Sequence, residues 1–242
     1  MHTIDFSRLR LKGGDRVLDI GCGSGRHCAA AYDCSDVCVV GLDMNRDDVL
    51  KARERLIFHE QLGGHGGGAW ALAVADAVSL PVAENSFDLV VCSEVLEHIE
   101  NDARVLAEVY RVLKPGKFLA VSVPRYYPER ICWALSTGYH QTPGGHIRIY
   151  RKSGLIRRLQ QAGFTVFCSH HAHSLHTPYW WMKCAIGPEK EDSRVVQLIH
   201  RFLTWDMMKK PAFTRFLDRL LNPVLGKSVV LYAVKQKADI RH

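Results

Sequence analysis

Asp19, Gly21, Gly23 and Gly25 occupy alternate positions of the stretch Asp19-Ile20-Gly21-Cys22-Gly23-Ser24-Gly25. Glycines at this spacing let the backbone turn sharply and let a ligand lie against it. The acid two residues ahead of the first glycine narrows the choice of ligand. A pyrophosphate is disfavoured beside a carboxylate, whereas a ligand carrying an ammonium group is favoured. The spacing also departs from the G-x-G-x-x-G fingerprint of dinucleotide sites. Asp43 stands 22 residues after Gly21, at the end of an apolar run, a spacing that suits a carboxylate gripping a ribose diol. Asp76 ends the next apolar run. Each acid alone is also an ordinary helix cap or turn residue. Three of them after successive runs, joined to the glycine loop, argue for one binding edge. A nicotinamide dinucleotide would explain Asp43 but not the loop that begins at Asp19.

With these residues the chain resembles the class I S-adenosylmethionine (SAM)-dependent methyltransferases, whose first motif has this form. The resemblance sharpens at Phe87-Asp88-Leu89-Val90-Val91-Cys92-Ser93-Glu94-Val95-Leu96-Glu97-His98-Ile99. That stretch looks like the fourth motif of methyltransferases related to those of quinone biosynthesis. Leu113-Lys114-Pro115-Gly116-Lys117-Phe118 looks like the segment that follows it there. The likeness is strong over residues 15–123 and weaker over 154–164 and the last strand. It implies SAM as cofactor, with S-adenosylhomocysteine (SAH) as product. It implies a site in which Asp19 and the loop residues Gly21, Cys22, Gly23 and Gly25 take the amino-acid end. Asp43 and Met44 would take the ribose, and Asp76 and Ala77 the adenine edge, with Cys92, Ser93 and Glu94 completing the lining. The implied fold is α/β and Rossmann-like: a seven-stranded, mostly parallel sheet with an antiparallel last strand and helices on both faces.

The implied reaction is attack of an acceptor atom on the sulfonium methyl, with oxygen as the first choice of acceptor. The leaving group is neutral, so positioning supplies much of the rate. An acceptor of high pKa also needs a base. His98 is the leading candidate, because it follows the fourth strand on the ligand side and an imidazole titrates near neutral pH. It also reads as a cap or packing histidine. His140 and His146 are rivals, and Glu97 is expected to be solvated. On the acceptor side, Tyr139, His140, His146, Arg148 and Tyr150 are the candidate substrate contacts. His146, Arg148 and Tyr150 alternate, and Arg148 has the geometry to clamp a carboxylate or phosphate. The cluster His170, His171, His173 and His176 lacks neighbouring Cys or acidic partners, so no metal is expected.

The elements that must position these residues alternate as strands and helices. Strands are predicted over 16–20, 37–42, 69–75, 89–92 and 118–123, with helices after the glycine loop and over 47–62 and 101–113. The run Gly63-Gly64-His65-Gly66-Gly67-Gly68 must end the second helix, and His65 needs no functional explanation. Five such alternations argue for a parallel sheet covered on both faces. A helix over 154–161 and strands over 164–168 and 228–234 follow. The chain is expected to be one domain, 1–242, with a SAM-binding core at 1–123, an acceptor-side segment at 124–152 and a C-terminal part at 153–242. Residues 124–150, rich in aromatics, Arg, Gly and Pro, are too long for an ordinary connection and too aromatic for simple disorder. Residues 169–227 form a helical insertion before the last strand, with helices opening near Thr177 and covering 194–205 and 211–221.

Composition places further bounds on function. With 47% hydrophobic and 24% charged residues, the chain reads as an ordinary globular protein with no membrane-spanning run. The first residues show no signal pattern, and the eight cysteines form no C-x-x-C pair, so a cytoplasmic protein with reduced thiols is expected. The net charge of +7 is unevenly spread. Residues 1–123 carry 13 Lys+Arg against 18 Asp+Glu, and residues 124–242 carry 19 against 7. The basic half suits an anionic partner. The aromatic, basic helices of 169–227 are expected either to roof an apolar acceptor or to rest on an anionic membrane, with Trp180 and Trp181 at the interface. Simple packing on the sheet is the third possibility. Nucleic acid is disfavoured, since no RNA-binding module is visible. A small or lipid-like acceptor is therefore the first reading. A protein or tRNA methyltransferase and a non-catalytic SAM-binding module are the alternatives.

Overall fold

The computed structural model describes residues 2–34, 36–63, 66–141, 144–187, 193–209 and 211–237. His65, Pro143, Lys210 and the side chain of His140 lie outside the described residues. The strands are β1 (Arg16–Ile20), β2 (Cys38–Asp43), β3 (Ala69–Val74), β4 (Phe87–Ser93), β5 (Leu113–Pro124), β6 (Phe164–Ala172) and β7 (Ser228–Lys235). The helices are α1 (Arg26–Cys34), α2 (Arg46–Gln61), α3 (Asp102–Val112), α4 (Tyr126–Leu135), α5 (Thr137–Gln141), α6 (Lys152–Gln161), α7 (His176–Ile186), α8 (Arg194–Lys209) and α9 (Ala212–Leu225).

One seven-stranded sheet runs in the order β3-β2-β1-β4-β5-β7-β6. The pairs among β1 to β5 are all parallel, and β7 is antiparallel to both β5 and β6. All seven residues of β4 are buried, as a central parallel strand covered on both faces requires. Alternate side chains serve opposite faces. Leu18 and Ile20 join a core with Val105, Val109, Leu155 and Leu159 of α3 and α6. Val17 joins the other, with Ala29, Ala52 and Leu56 of α1 and α2.

Local chemistry explains where the helices flanking the site begin and end. The Asn45 side chain accepts from the Asp47 amide to cap α2, and Asp47 and Asp48 sit in its positive first turn. The Asn101 side chain does the same for α3. Gly163, at φ +89°, follows α6 and leads straight into β6.

The acceptor-side segment differs from its expectation as one long irregular stretch, since it folds as α4 and α5. Pro128 sits in the first turn of α4, where its missing N–H costs nothing, and Glu129 and Cys132 turn inward as the buried face. β6 runs four residues beyond its expected end, because β7 pairs with it as far as Ala172 opposite Ser228. His170 and His171 are therefore strand residues. The helices of the insertion, α7 to α9, fill the β6–β7 connection, as expected.

Candidate active site

β1 lies between β2 and β4, so the strand order reverses there, and an open crevice forms at such a switch point. A cleft of about 450 Å³ occupies it. Its walls are Gly21 and Gly23 of the glycine loop, Asp43 and Met44 after β2, Asp76 and Ala77 after β3, and Glu94 and His98 after β4. Ile20, Leu42, Leu80, Val95 and Ile99 give it an apolar floor, and Gly144 reaches it from the acceptor-side segment. Eight of the sequence-predicted residues thus meet in one cavity.

The other predicted residues support this wall or lie elsewhere. A Cβ on Gly21 (φ +65°) would sit 2.4 Å from Val95 Cγ2, so only glycine permits this close approach. Gly25 serves packing, since a Cβ there would lie 2.9 Å from Ala52 Cβ on α2. Cys22 and Cys92 are buried and do not line the cleft. Ser93 shares a 2.8 Å hydrogen bond with Ser122 Oγ, and Ser122 in turn donates to Glu94 Oε1 at 2.8 Å. That bond holds Glu94 in the left-handed region (φ +57°), a conformation non-glycine residues rarely adopt.

Asp43 has two duties. Its Oδ2 accepts from the Gly23 amide at 2.7 Å and its Oδ1 from the Asn45 amide at 2.8 Å, so it ties the glycine loop to the end of β2 while facing the cleft. Asp76 Oδ1 accepts from the Val78 amide at 3.0 Å and shapes the turn after β3. Asp19 is 1% exposed and does not line the cleft. Cys28 Sγ lies 3.3 Å from its Oδ2, while Oδ1 is buried without a hydrogen-bond partner. Burial pushes this carboxyl up to about 7 against the Cys28 contact and the nearby Arg26 charge. A buried acid lacking one partner, at the root of the loop, fits the demand for a counter-charge or acceptor near a cationic amino group.

His98 lines the cleft just after β4. Its Nδ1 donates to the Gly145 carbonyl at 3.3 Å, which leaves Nε2 as the ring's free lone pair. Partial burial and then the neighbouring His146, whose ring centroid is 4.9 Å away, lower its pKa below the ordinary histidine value. His146 faces inward, with Nδ1 donating to Glu129 Oε1 at 2.6 Å. Trp133 Nε1 donates to the same oxygen at 3.1 Å, and the Tyr139 ring stands 6.1 Å from that of His146.

Glu97 corrects an expectation. Far from solvated, it is 0% exposed, and neither carboxylate oxygen has a hydrogen-bond partner. Burial, with Glu94 close by, pushes its pKa well up. Among the described residues, Glu97, His98 and His146 each offer one ligand atom, all within 4.8 Å of one another. The sequence reading contained no such donor set, because Glu97 and His146 are joined only through tertiary contacts. A second correction concerns Arg148 and Tyr150. Arg148 bonds Asp102 and the Glu100 carbonyl, and Tyr150 is buried against Asp102, so neither faces the cleft.

Of the readings open for the insertion, a roof over this cleft is not what forms, because no residue of α7, α8 or α9 lines it. Trp181 Nε1 donates to the Pro128 carbonyl at 3.0 Å, and Lys227 Nζ sits 4.3 Å from the Trp180 ring. Both tryptophans are partly buried by these contacts, with α7 packed against α4. His170 Nε2 donates to the Thr3 carbonyl at 3.3 Å, and His173 Nε2 shares a 3.0 Å hydrogen bond with Thr3 Oγ1, so these histidines hold the N-terminal segment.

The sheet order and the cleft at its switch point define a Rossmann-like α/β protein. The family described as a methyltransferase domain matches residues 2–169, and the chain belongs to it, as a class I SAM-dependent methyltransferase. The chain is 34% identical over 113 residues to 27-O-demethylrifamycin SV methyltransferase of Amycolatopsis mediterranei, covering 47% of this chain and 40% of that protein. It is 26% identical to cycloartenol-C-24-methyltransferase of Arabidopsis thaliana, over 84% of this chain and 60% of that one. The chain thus spans less than two thirds of either relative's own length. The crystal structure of the [4+2]-cyclase SpnF has the same fold, with a TM-score of 0.63 and 22% identity, covering 96% of this chain and 79% of that one. Among the described residues no helix is long and apolar enough to cross a membrane.

Proposed function

We propose that this chain binds SAM in the cleft between β1, β2 and β4 and transfers its methyl group to an oxygen of a small, lipid-like acceptor. The observation that carries the reading is the meeting of Gly21, Gly23, Asp43, Asp76, Glu94 and His98 around one cavity. Asp43 holds the ribose hydroxyls, Asp76 and Ala77 the adenine edge, and the glycine-loop amides with Asp19 behind them the amino-acid end. When bound, SAM supplies a methyl group on a positively charged sulfur, whose departure as a thioether needs no proton. His98 takes the proton that the acceptor hydroxyl sheds, through Nε2, while the Gly145 carbonyl keeps the ring in the required tautomer. Glu94 lies near that histidine and favours its protonated form as it develops. The relative named for O-methylation supports oxygen as the acceptor atom, and the apolar floor at Val95 and Ile99 supports a lipid-like acceptor.

The test separates binding from turnover, because the fold also carries a cyclase. SAH titration by calorimetry reads the cleft. Isotope-labelled SAM added to a cell extract, then partitioned into organic, aqueous, protein and nucleic-acid fractions, reads the acceptor. Label in the organic fraction supports the proposal, and label in protein or RNA replaces the acceptor class. SAH binding with no label in any fraction rejects methyl transfer, and absence of SAH binding rejects the cleft assignment.

A further inference from the structure

α8 and α9 each expose an apolar stripe to water. A helix lying on a globular protein normally turns its apolar stripe inward and its charges outward. Here Leu198, Phe202 and Trp205 of α8 and Phe213, Phe216 and Leu220 of α9 are 43–72% exposed. Their steps of three and four residues put each set on one side of its helix. The acids lie on the inward sides, beside Val196 and Leu203 of α8 and Thr214 of α9. Asp206 is fully buried and paired with Arg215, which ties α9 to α8. Asp218 is 9% exposed and accepts from Ser174 Oγ at 2.8 Å and from the Leu175 amide at 3.2 Å. Buried, bonded carboxylates are not a default outcome of folding. Together with Val196 and Leu203 they set which side of each helix faces in, which leaves the aromatic sides in water.

With both acids turned inward, the exposed charges of these two helices among the described residues are all positive: Arg194, Arg201, Lys209 and Arg219. We propose that this face docks on the surface of an anionic phospholipid bilayer. Aromatic and branched side chains on a cationic helix enter the boundary between headgroups and acyl chains, and the arginines and lysines meet lipid phosphates. A second copy of the chain would bring like charges together across the contact, which disfavours self-association. The docking elements are α8 and α9, and Trp205 takes the interfacial place that the packed Trp180 and Trp181 do not. The inference does not depend on the acceptor or on SAM.

Sedimentation of the full chain with vesicles tests it. Vesicles of equal parts phosphatidylcholine and phosphatidylglycerol are expected to pellet the protein at least about tenfold more strongly than pure phosphatidylcholine vesicles, with binding falling as salt is raised. Phe213→Glu with Phe216→Glu is expected to abolish pelleting while far-UV circular dichroism and the unfolding temperature stay unchanged, since both residues are exposed. Arg194→Glu with Arg201→Glu should remove the preference for anionic lipid. The proposal is overturned if the wild type stays in solution with both vesicles, or if the phenylalanine variant pellets equally. It is also overturned if sedimentation without lipid shows a dimer that the phenylalanine variant dissociates.

Discussion

Arg148 Nη1 lies 2.8 Å from Asp102 Oδ2, and Arg158 Nη1 lies 2.9 Å from the other oxygen of that carboxylate. Tyr150 donates to it as well, and Asp102 itself is 3% exposed in the first turn of α3. The end of the acceptor-side segment is thereby pinned to the helix that follows the fourth motif. Arg148→Ala is expected to lower stability by about 1–3 kcal/mol in denaturant unfolding, because Asp102 keeps only part of its compensation. The KM for the acceptor should not move, and a large rise would restore Arg148 to the substrate site.

His98 should show its role in a pH profile. Its pKa lies below the ordinary histidine value because of burial and then His146. The neutral, proton-accepting ring therefore persists to lower pH than in a free histidine. The acid limb of turnover should therefore lie at lower pH than an ordinary histidine would give. His98→Gln should cut kcat by about a hundredfold or more and leave SAH affinity unchanged. An unaltered kcat would remove it as the base.

Asp43 joins the loop and the cleft through the Gly23 amide. Asp43→Ala removes a cleft carboxylate and the anchor of the loop together. SAH binding should weaken by more than about tenfold, or about 1.4 kcal/mol, by calorimetry. Unchanged affinity would show that the ribose lies elsewhere.

Asp19 has the opposite linkage to an ordinary salt-bridged acid. Burial raises its folded-state pKa to about 7, above the roughly 3.9 expected when unfolded. The folded state therefore holds a proton that the unfolded state has released, and stability declines as pH rises from about 4 to 7. Asp19→Asn should flatten that decline in thermal unfolding and raise stability at pH 8. The same substitution should weaken SAH binding, because it removes the buried counter-charge. Equal SAH affinity in both forms would leave Asp19 with a packing role alone.

The sheet and the glycine-loop wall of the cleft were legible in the sequence because their determinants are local. The glycine loop follows its own strand within a few residues, and Asp43 and Asp76 close theirs. Parallel strands buried on both faces read as short apolar runs, and the crevice then falls at the strand ends by topology alone. The residues left to tertiary structure are those whose environment comes from distant segments. Glu97 has the composition of a solvated residue, yet Glu129, 32 positions on, is near enough to raise its pKa. Arg148 read as a free cation until α3 supplied Asp102, 46 residues earlier. The stripes of α8 and α9 have helical periodicity in either orientation, and periodicity alone cannot say which side is buried. Ser174 and Arg215 decide it by bonding Asp218 and Asp206, since a buried carboxylate demands partners more strictly than an apolar side chain demands cover.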